Sequence, residues 1–476
     1  MKIILIRPPS AIGIVGKRFV QYPINLGYLA AVLKKNNFDV EIWDYEVEDF
    51  NREIIVKRFL GSRPQVIGIT SMTPNVNYAH DIAAIARQVL GKVFMVIGGP
   101  HASAIPRQTL EEFPYFDAAV IGEGEVTFKK LCQRIRDKKD INGLSGIVHR
   151  QNGKIVSENR REFIQDLDSL PFPARHLFNF ENYRHSNSSP GIFKSRLRPM
   201  QIFTSRGCFG KCIFCAACKI FGDSARLRSA ANVTAEIEDC ISKYKINHFT
   251  VDDDTFCLES SRLESICSKF SEYKITWDCD TRVDLVNREK IFMMAKAGCL
   301  KIAFGVESGS ERILELTNKN ISLDKVRDAF RWSKEAGIIR QAFMMIGSHP
   351  SETVEDLNKS LRLLEEIRPE FVTFSLAVPY PGTHLNSLLT NKRFIQFRDW
   401  KDFQFYQGRV SWRTDNFTGQ ELVKLQQRLI AKFYLNPKVF LHLLSRVNSF
   451  GIFLFYFGAG IDFLRYLVKR RLQRTQ

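Results

Sequence analysis

Met200-Gln-Ile-Phe-Thr-Ser-Arg-Gly-Cys-Phe-Gly-Lys-Cys-Ile-Phe-Cys215 joins a short apolar run to three closely spaced cysteines. The run 200–204 reads as a buried strand. Cys208, Cys212 and Cys215 follow it in a C-x3-C-x2-C array. Three thiolates fall one short of a tetrahedral zinc site. They suffice for three irons of a [4Fe–4S] cube, and the fourth iron is then open to a substrate or cofactor. A structural zinc site completed by Cys218 or a distant ligand is the alternative.

Downstream of this stretch, apolar runs at 248–251, 275–279, 300–305, 341–346 and 371–376 follow the first one. Helical patterns at 234–244, 260–270, 288–297, 323–335 and 353–367 separate them. Strand–helix alternation predicts a parallel sheet with its chemistry at the carboxyl ends of the strands. The loops there are Val251-Asp-Asp-Asp-Thr-Phe256, Asp280-Thr-Arg-Val-Asp284, Gly305-Val-Glu-Ser-Gly309, Gly347-Ser-His-Pro-Ser-Glu352 and Pro379-Tyr-Pro-Gly-Thr383.

The cysteine spacing, with Phe214 just before the last cysteine, resembles the signature of radical S-adenosylmethionine (SAM) enzymes. The resemblance implies an open (β/α)6 partial barrel over 200–390. It also implies a cluster held by the three cysteines, whose open iron chelates SAM, and a 5′-deoxyadenosyl radical released on reduction. Asp252 and Asp253 are then candidates to receive the SAM amine, and Glu307, with Ser308, to contact SAM. The loop at 347–352 departs from the Gly-Leu-Pro-Gly-Glu of that family, whereas 379–383 fits it. A reductant such as flavodoxin or ferredoxin is implied as a partner.

Upstream, runs at 2–6, 40–43, 66–70, 94–97 and 118–121 alternate with helical patterns at 26–36, 54–60, 76–89, 106–112 and 125–137. This predicts an α/β, doubly wound, Rossmann-like domain over 1–165. Ligands bind such sheets beyond the carboxyl ends of the strands. No loop there has the G-x-G-x-x-G spacing of a dinucleotide site. The set Ser71-Met72-Thr73, Gly98-Gly99 and Gly122-Glu123-Gly-Glu125 resembles the cobalamin-binding domain that precedes many radical SAM cores. Ser71, Thr73, Gly98, Gly99, Gly122 and Glu123 are the candidate cobalamin contacts. Ser10-Ala-Ile-Gly-Ile-Val-Gly16 lacks the Asp-x-His-x-x-Gly that supplies a cobalt ligand in other cobalamin domains, so the resemblance implies cobalamin without a lower histidine. His101 reads as a loop hydrogen-bonder.

The match is closest to the subfamily of anaerobic magnesium-protoporphyrin ester cyclases and hopanoid-modifying enzymes. It implies an enzyme that modifies an unactivated carbon, with C-methylation the leading outcome and an oxidative cyclisation or rearrangement the alternative. A reading of another class is a cobalamin-binding sensor with an inactive barrel. No second cysteine array exists, which argues against methylthiotransferases.

The 476 residues carry a net charge of +18, spread along the chain and concentrated at the C-terminus. Without a recognition module or a basic–aromatic array, nucleic acid is not expected as a partner. The prolines and small polar residues of 166–199 read as a linker. In the helical region 391–476, the stretch 437–474 joins an aromatic-rich apolar run to Arg465, Lys469, Arg470, Arg471 and Arg474. It is too short to span a bilayer, but it suits a helix at an anionic membrane surface or packed on the barrel. The expectation is a cytoplasmic protein, touching the inner face of a membrane at its periphery, with a small, hydrophobic (lipid or tetrapyrrole-like) or secondary-metabolite substrate.

Overall fold

The computed structural model describes residues 1–10, 20–157, 162–183, 197–396, 399–403, 410–437 and 439. Two sheets organise them, the first mixed and the second parallel. The first runs β2-β1-β3-β4-β5-β6-β7 across its width. Its strands are β1 (Lys2–Arg7), β2 (Asp39–Asp44), β3 (Val66–Thr70), β4 (Phe94–Gly98), β5 (Ala118–Val120), β6 (Ile147–Gln151) and β7 (Lys154–Ser157). β1 to β5 are parallel, with helices between them. Ile3, Ile4, Leu5 and Ile6 are all buried, because a parallel strand covered on both faces has no solvated side.

β6 and β7 form an antiparallel hairpin on the edge of this sheet, and the sequence pattern did not show it. Its turn is Asn152-Gly153, both at positive φ (49° and 75°), the geometry of a tight two-residue hairpin loop. The Asn-Gly pair was a legible signal. A five-residue helix, Pro100–Ala104, was also missed after the Gly98-Gly99 step.

The second sheet begins at β8 (Pro199–Ile202), and β9 (Ser205–Arg206) pairs with β10 (Arg226–Leu227) beside the cysteine loop. β11 (His248–Val251), β12 (Thr276–Thr281), β13 (Cys299–Glu307), β14 (Ile339–Ile346) and β15 (Phe371–Leu376) complete it. The order β15-β14-β13-β12-β11-β8 is parallel throughout and open, with β8 and β15 as its edges. This is the doubly wound domain that the strand–helix alternation predicted, followed by the six-stranded partial barrel that the resemblance implied.

Helices cover the outer face of the second sheet. Trp277 turns outward and stacks on Phe270, with ring centroids 5.0 Å apart. Burying an aromatic side chain of this kind stabilises by roughly 1.5–3 kcal/mol.

The stretch 166–183 packs into the seam between the sheets. Arg175 is buried and bonds Glu236 at 2.6 Å, while its guanidinium and the Tyr22 hydroxyl both donate to the Gln201 carbonyl. Near the C-terminus, helix Gly419–Tyr434 lies over β15. Gln426 donates to the Phe374 carbonyl at 2.8 Å, and Tyr434 bonds the main chain of Val372. Beyond it, the apolar–basic segment on which the membrane expectation rests falls outside the described residues, apart from Pro437 and Val439. Among the described residues, no helix is long and apolar enough to cross a membrane.

Candidate functional site: a cysteine loop beside a two-sheet cavity

The cysteine loop is braced at its root. Asp253, at the end of β11, is 3 % exposed and accepts hydrogen bonds from the Thr204 and Ser205 backbone N–H groups at 2.6 and 3.1 Å. Both hydroxyls donate to it as well. Its lone pairs are therefore spent on the chain that enters the loop, which corrects its expected role at SAM. The next residue, Arg206, reaches across to the first domain and bonds Glu123 at 2.9 Å and Glu125 at 2.6 Å. Gly207 follows at φ +83°, where an added Cβ would lie 2.4 Å from the Ser224 carbonyl oxygen.

Cys208, Cys212 and Cys215 are all partly exposed. The Gly210 N–H donates to the Cys208 sulfur at 3.3 Å, and the Ala217 N–H to the Cys215 sulfur at 3.5 Å. A Cβ at Gly210 would sit 3.3 Å from the Cys208 sulfur and 3.8 Å from that of Cys212, so this backbone threads between the two thiols. Burial pushes the Cys215 thiol up to about 12 and also raises Cys212, although Lys319 and Arg282 oppose the latter shift. The donor set is thus three thiols, backbone N–H groups and two facing cations. It suits a strongly anionic cluster, whose thiolates need compensating charge. Among the described residues, no group of three or more His, Cys, Asp or Glu is set to hold a single metal ion. The Cys218 thiol points instead at the Cys215 carbonyl, 3.8 Å away. Phe214 is partly buried against the core.

Glu307 ends β13 beside this loop, at φ +68° and at a break in the β13–β14 register. Such a conformation in a non-glycine residue costs about 1–3 kcal/mol. Its carboxylate bonds the Lys319 ammonium at 2.9 Å. A Cβ at Gly305 would lie 2.7 Å from that carboxylate and 2.8 Å from the ammonium, so the glycine makes room for the pair. Lys319 is a site residue that the sequence reading missed, as is Arg282, whose guanidinium bonds Asp284 and lies over the Phe209 ring. Ser308 is 1 % exposed and accepts from the Ser310 N–H at 3.1 Å, so it supports the loop from behind.

A cavity lies where the carboxyl ends of the two sheets meet. Leu5, Leu26, Val96, Val120 and Phe128 give it an apolar arm in the first domain. Arg206, Asp252, Asp254 and Phe221 line it on the barrel side. Gly98, Gly99, Gly122, Glu123 and Asp252 from the expected set all reach this cavity.

The two adjacent glycines differ. At Gly98 a Cβ would have no neighbour closer than 3.9 Å and would stand in the cavity. At Gly99, with φ +88°, it would lie within 2.9 Å of Thr70 and Ser71. A cavity with an apolar arm, a polar mouth and a glycine-lined wall fits cobalamin, a large ligand with both kinds of surface.

Other expected contacts stand behind the cavity wall. Ser71 is buried and bonds Gly98 through its N–H at 2.9 Å. Thr73 is buried beside His101, 3.4 Å from its Nδ1. His101 itself packs edge-on to Trp400, and burial pushes its imidazole down to about 3. Glu123 lines the cavity, but Arg206, Arg226 and the Ile164 N–H occupy its carboxylate. It serves the seam rather than a free ligand.

The B12 binding domain model matches residues 15–132, and the radical SAM superfamily model matches 202–364. The chain is 32% identical, over 92% of its length and 94% of the relative, to an uncharacterized methyltransferase of Pyrococcus horikoshii. It is 29% identical to the hopanoid C-3 methylase of Methylococcus capsulatus, covering 86% of this chain and 76% of that one. It is 26% identical to the anaerobic magnesium-protoporphyrin IX monomethyl ester cyclase of Rubrivivax gelatinosus, over 80% and 68% of the two chains. The cobalamin-dependent SAM radical enzyme OxsB, solved with aqua-cobalamin and SAM bound, has the same fold, with a TM-score of 0.73 at 17% identity over 99% of this chain and 71% of that one.

Proposed function

The chain belongs to the cobalamin-dependent radical SAM family, and from that premise we propose that it methylates an unactivated carbon of a small-molecule substrate. The observation that carries the reading is the single cavity shared by both sheets, with the cysteine loop rooted at its rim through Ser205 and Arg206. When bound, the cluster, SAM and cobalamin supply the electron, the radical and the methyl group.

The protein's own residues hold, orient and shield. Cys208, Cys212 and Cys215 would hold the cluster, with Lys319 and Arg282 offsetting its charge. Asp252, on the cavity wall and within reach of that loop, is the candidate for the SAM amine, and Asp254 joins it. Glu307 acts through Lys319. The apolar arm at Leu5, Val96 and Phe128 would keep water from part of the cobalamin, and the Gly98 backbone would lie against it.

The same reading divides the chain into a cobalamin domain (1–165), a linker (166–199), a barrel (200–390) and a C-terminal helical region (391–476). It calls for a one-electron donor such as flavodoxin or ferredoxin. It also places the protein in the cytoplasm, with residues 437–474 carrying a hydrophobic substrate's enzyme to the inner face of a membrane. Co-sedimentation with anionic liposomes of the full chain, but not of a chain ending before Asn436, would support that contact; its absence at low salt would remove it. Relatives named as cyclases favour cyclisation as the second reading.

The deciding experiment uses anaerobically reconstituted protein, SAM with a deuterated methyl group, and small-molecule extract from a deletion strain. A product that gains the deuterated methyl supports methylation. A product that gains a ring and no label supports cyclisation.

A further inference from the structure

The inner face of the barrel carries polar groups in register. β8, β11 and β12 align Gln201, Thr250 and Asp278 in one strip across the sheet. Because Val251 pairs with Cys279, the next residues, Asp252 and Asp280, lie side by side one step nearer the carboxyl ends. Trp277 and Cys279 face the helices, so Asp278 and Asp280 face inward by alternation.

Most of these groups are already spent. Asp278 lies 2.8 Å from His248 Nε2 and accepts from the Thr250 hydroxyl. Lys301 donates to Gln341 at 3.0 Å. Asp252 accepts from the Gln201 carboxamide N–H.

Two acceptors are left over. Asp280 has no hydrogen bond or ion pair among the described residues, and its side chain is open to solvent-sized molecules. Gln201 is 6 % exposed; its NH2 donates to Gln21 at 2.6 Å and to Asp252, yet its carboxamide oxygen has no partner. A buried acceptor left unmet is rare, and a donor from outside the chain is what satisfies it.

We propose that Asp280 and the Gln201 carboxamide oxygen form a substrate subsite for a protonated amine on the inner face of the barrel. This rests on the radical SAM reading and adds a substrate class to it. An ammonium offers three donors and no acceptor, which matches a carboxylate beside a carbonyl oxygen. Burial pushes the Asp252 carboxyl up to about 8, and the neighbouring Asp280 charge raises it further. A cation beside Asp280 relieves that repulsion and leaves Asp252 to the SAM amine. The amine would sit on a substrate whose remainder is apolar, consistent with a hydrophobic molecule.

The test is equilibrium dialysis of the reconstituted full chain, without SAM and at saturating SAM. The probes are phenethylamine, phenethyl alcohol and phenylacetate, which share one apolar body and differ in charge. Phenethylamine should bind about tenfold more tightly than either isostere, a preference that runs against the chain's net charge of +18. Asp280→Asn and Gln201→Leu should each lower the preference, and Asp280→Glu should retain it. Equal binding of the three probes overturns the proposal, as does a preference that survives in either folded variant. Loss of amine binding on adding SAM also overturns it, by assigning the subsite to SAM. Dialysis does not read SAM cleavage, so a chain that failed to cleave SAM would fail the radical SAM reading without deciding this one.

Discussion

Arg206 and Glu123 meet at 2.9 Å across the seam between the two sheets, and both are buried. Arg206 belongs to the strand that leads into the cysteine loop, and Glu123 to the loop that lines the two-sheet cavity. Glu125 and Arg226 complete the cluster. One guanidinium therefore ties the root of the cysteine loop to the wall of the cavity.

Replacing Arg206 by Met keeps its volume and strands Glu125 without its partner. Breaking a buried pair from one side costs about 3–5 kcal/mol. The apparent melting temperature of the cofactor-free chain should fall clearly, and cobalamin should be retained less well after gel filtration. A melting curve that overlays the wild type would show that the seam does not depend on this contact.

Asp253→Asn tests the brace of the cysteine loop. The asparagine still accepts through one oxygen, but it presents an NH2 to the N–H groups of Thr204 and Ser205. Iron and sulfide content after reconstitution should drop, while the corrinoid spectrum should persist, because Asp253 does not line the cavity. Full cluster loading in this variant would remove the bracing role.

Gly98→Ala and Gly99→Ala should part company. At Gly98 the methyl meets only open cavity, so the protein should keep its stability and bind cobalamin less tightly. At Gly99 the methyl collides with Thr70 and Ser71 at a positive φ, so stability itself should fall, by roughly 1–3 kcal/mol. Denaturant melts and cobalamin titration of both variants separate the two effects. Equal behaviour of the pair would contradict the geometry.

Glu352 predicts a pH dependence. Burial pushes its carboxyl up to about 8, although the Gly347 N–H donates to it. Folded chains then hold a proton that unfolded chains release above an ordinary carboxyl value of about 4.5, so folding takes up a proton in that window. This group's effect on stability is unfavourable and grows as pH rises from about 4.5 to about 8. Glu352→Gln should flatten the fall in stability between about pH 5 and about pH 8, measured by urea unfolding at each. An unchanged slope would mean that Glu352 ionises freely in the fold.

Sequence alone determined the strand–helix alternation behind both sheets and the position of the cysteine loop, because apolar periodicity and three clustered thiols are local patterns. It also placed Gly98, Gly99, Gly122, Glu123 and Asp252 at strand ends, where they do reach one cavity. The β6–β7 hairpin went unread although Asn152-Gly153 announced it. What only the tertiary structure decided is how each polar side chain is spent. Asp252 and Asp253 are neighbours with the same chemistry, yet the loop after β11 sends one into the cavity and the other beneath Thr204. Glu307 is bonded by Lys319 from a loop twelve residues on, and Glu123 by Arg206 from the other sheet. A carboxylate is available to a ligand only when no cation or N–H of the chain reaches it first, and those partners are set by long-range packing that no local pattern records.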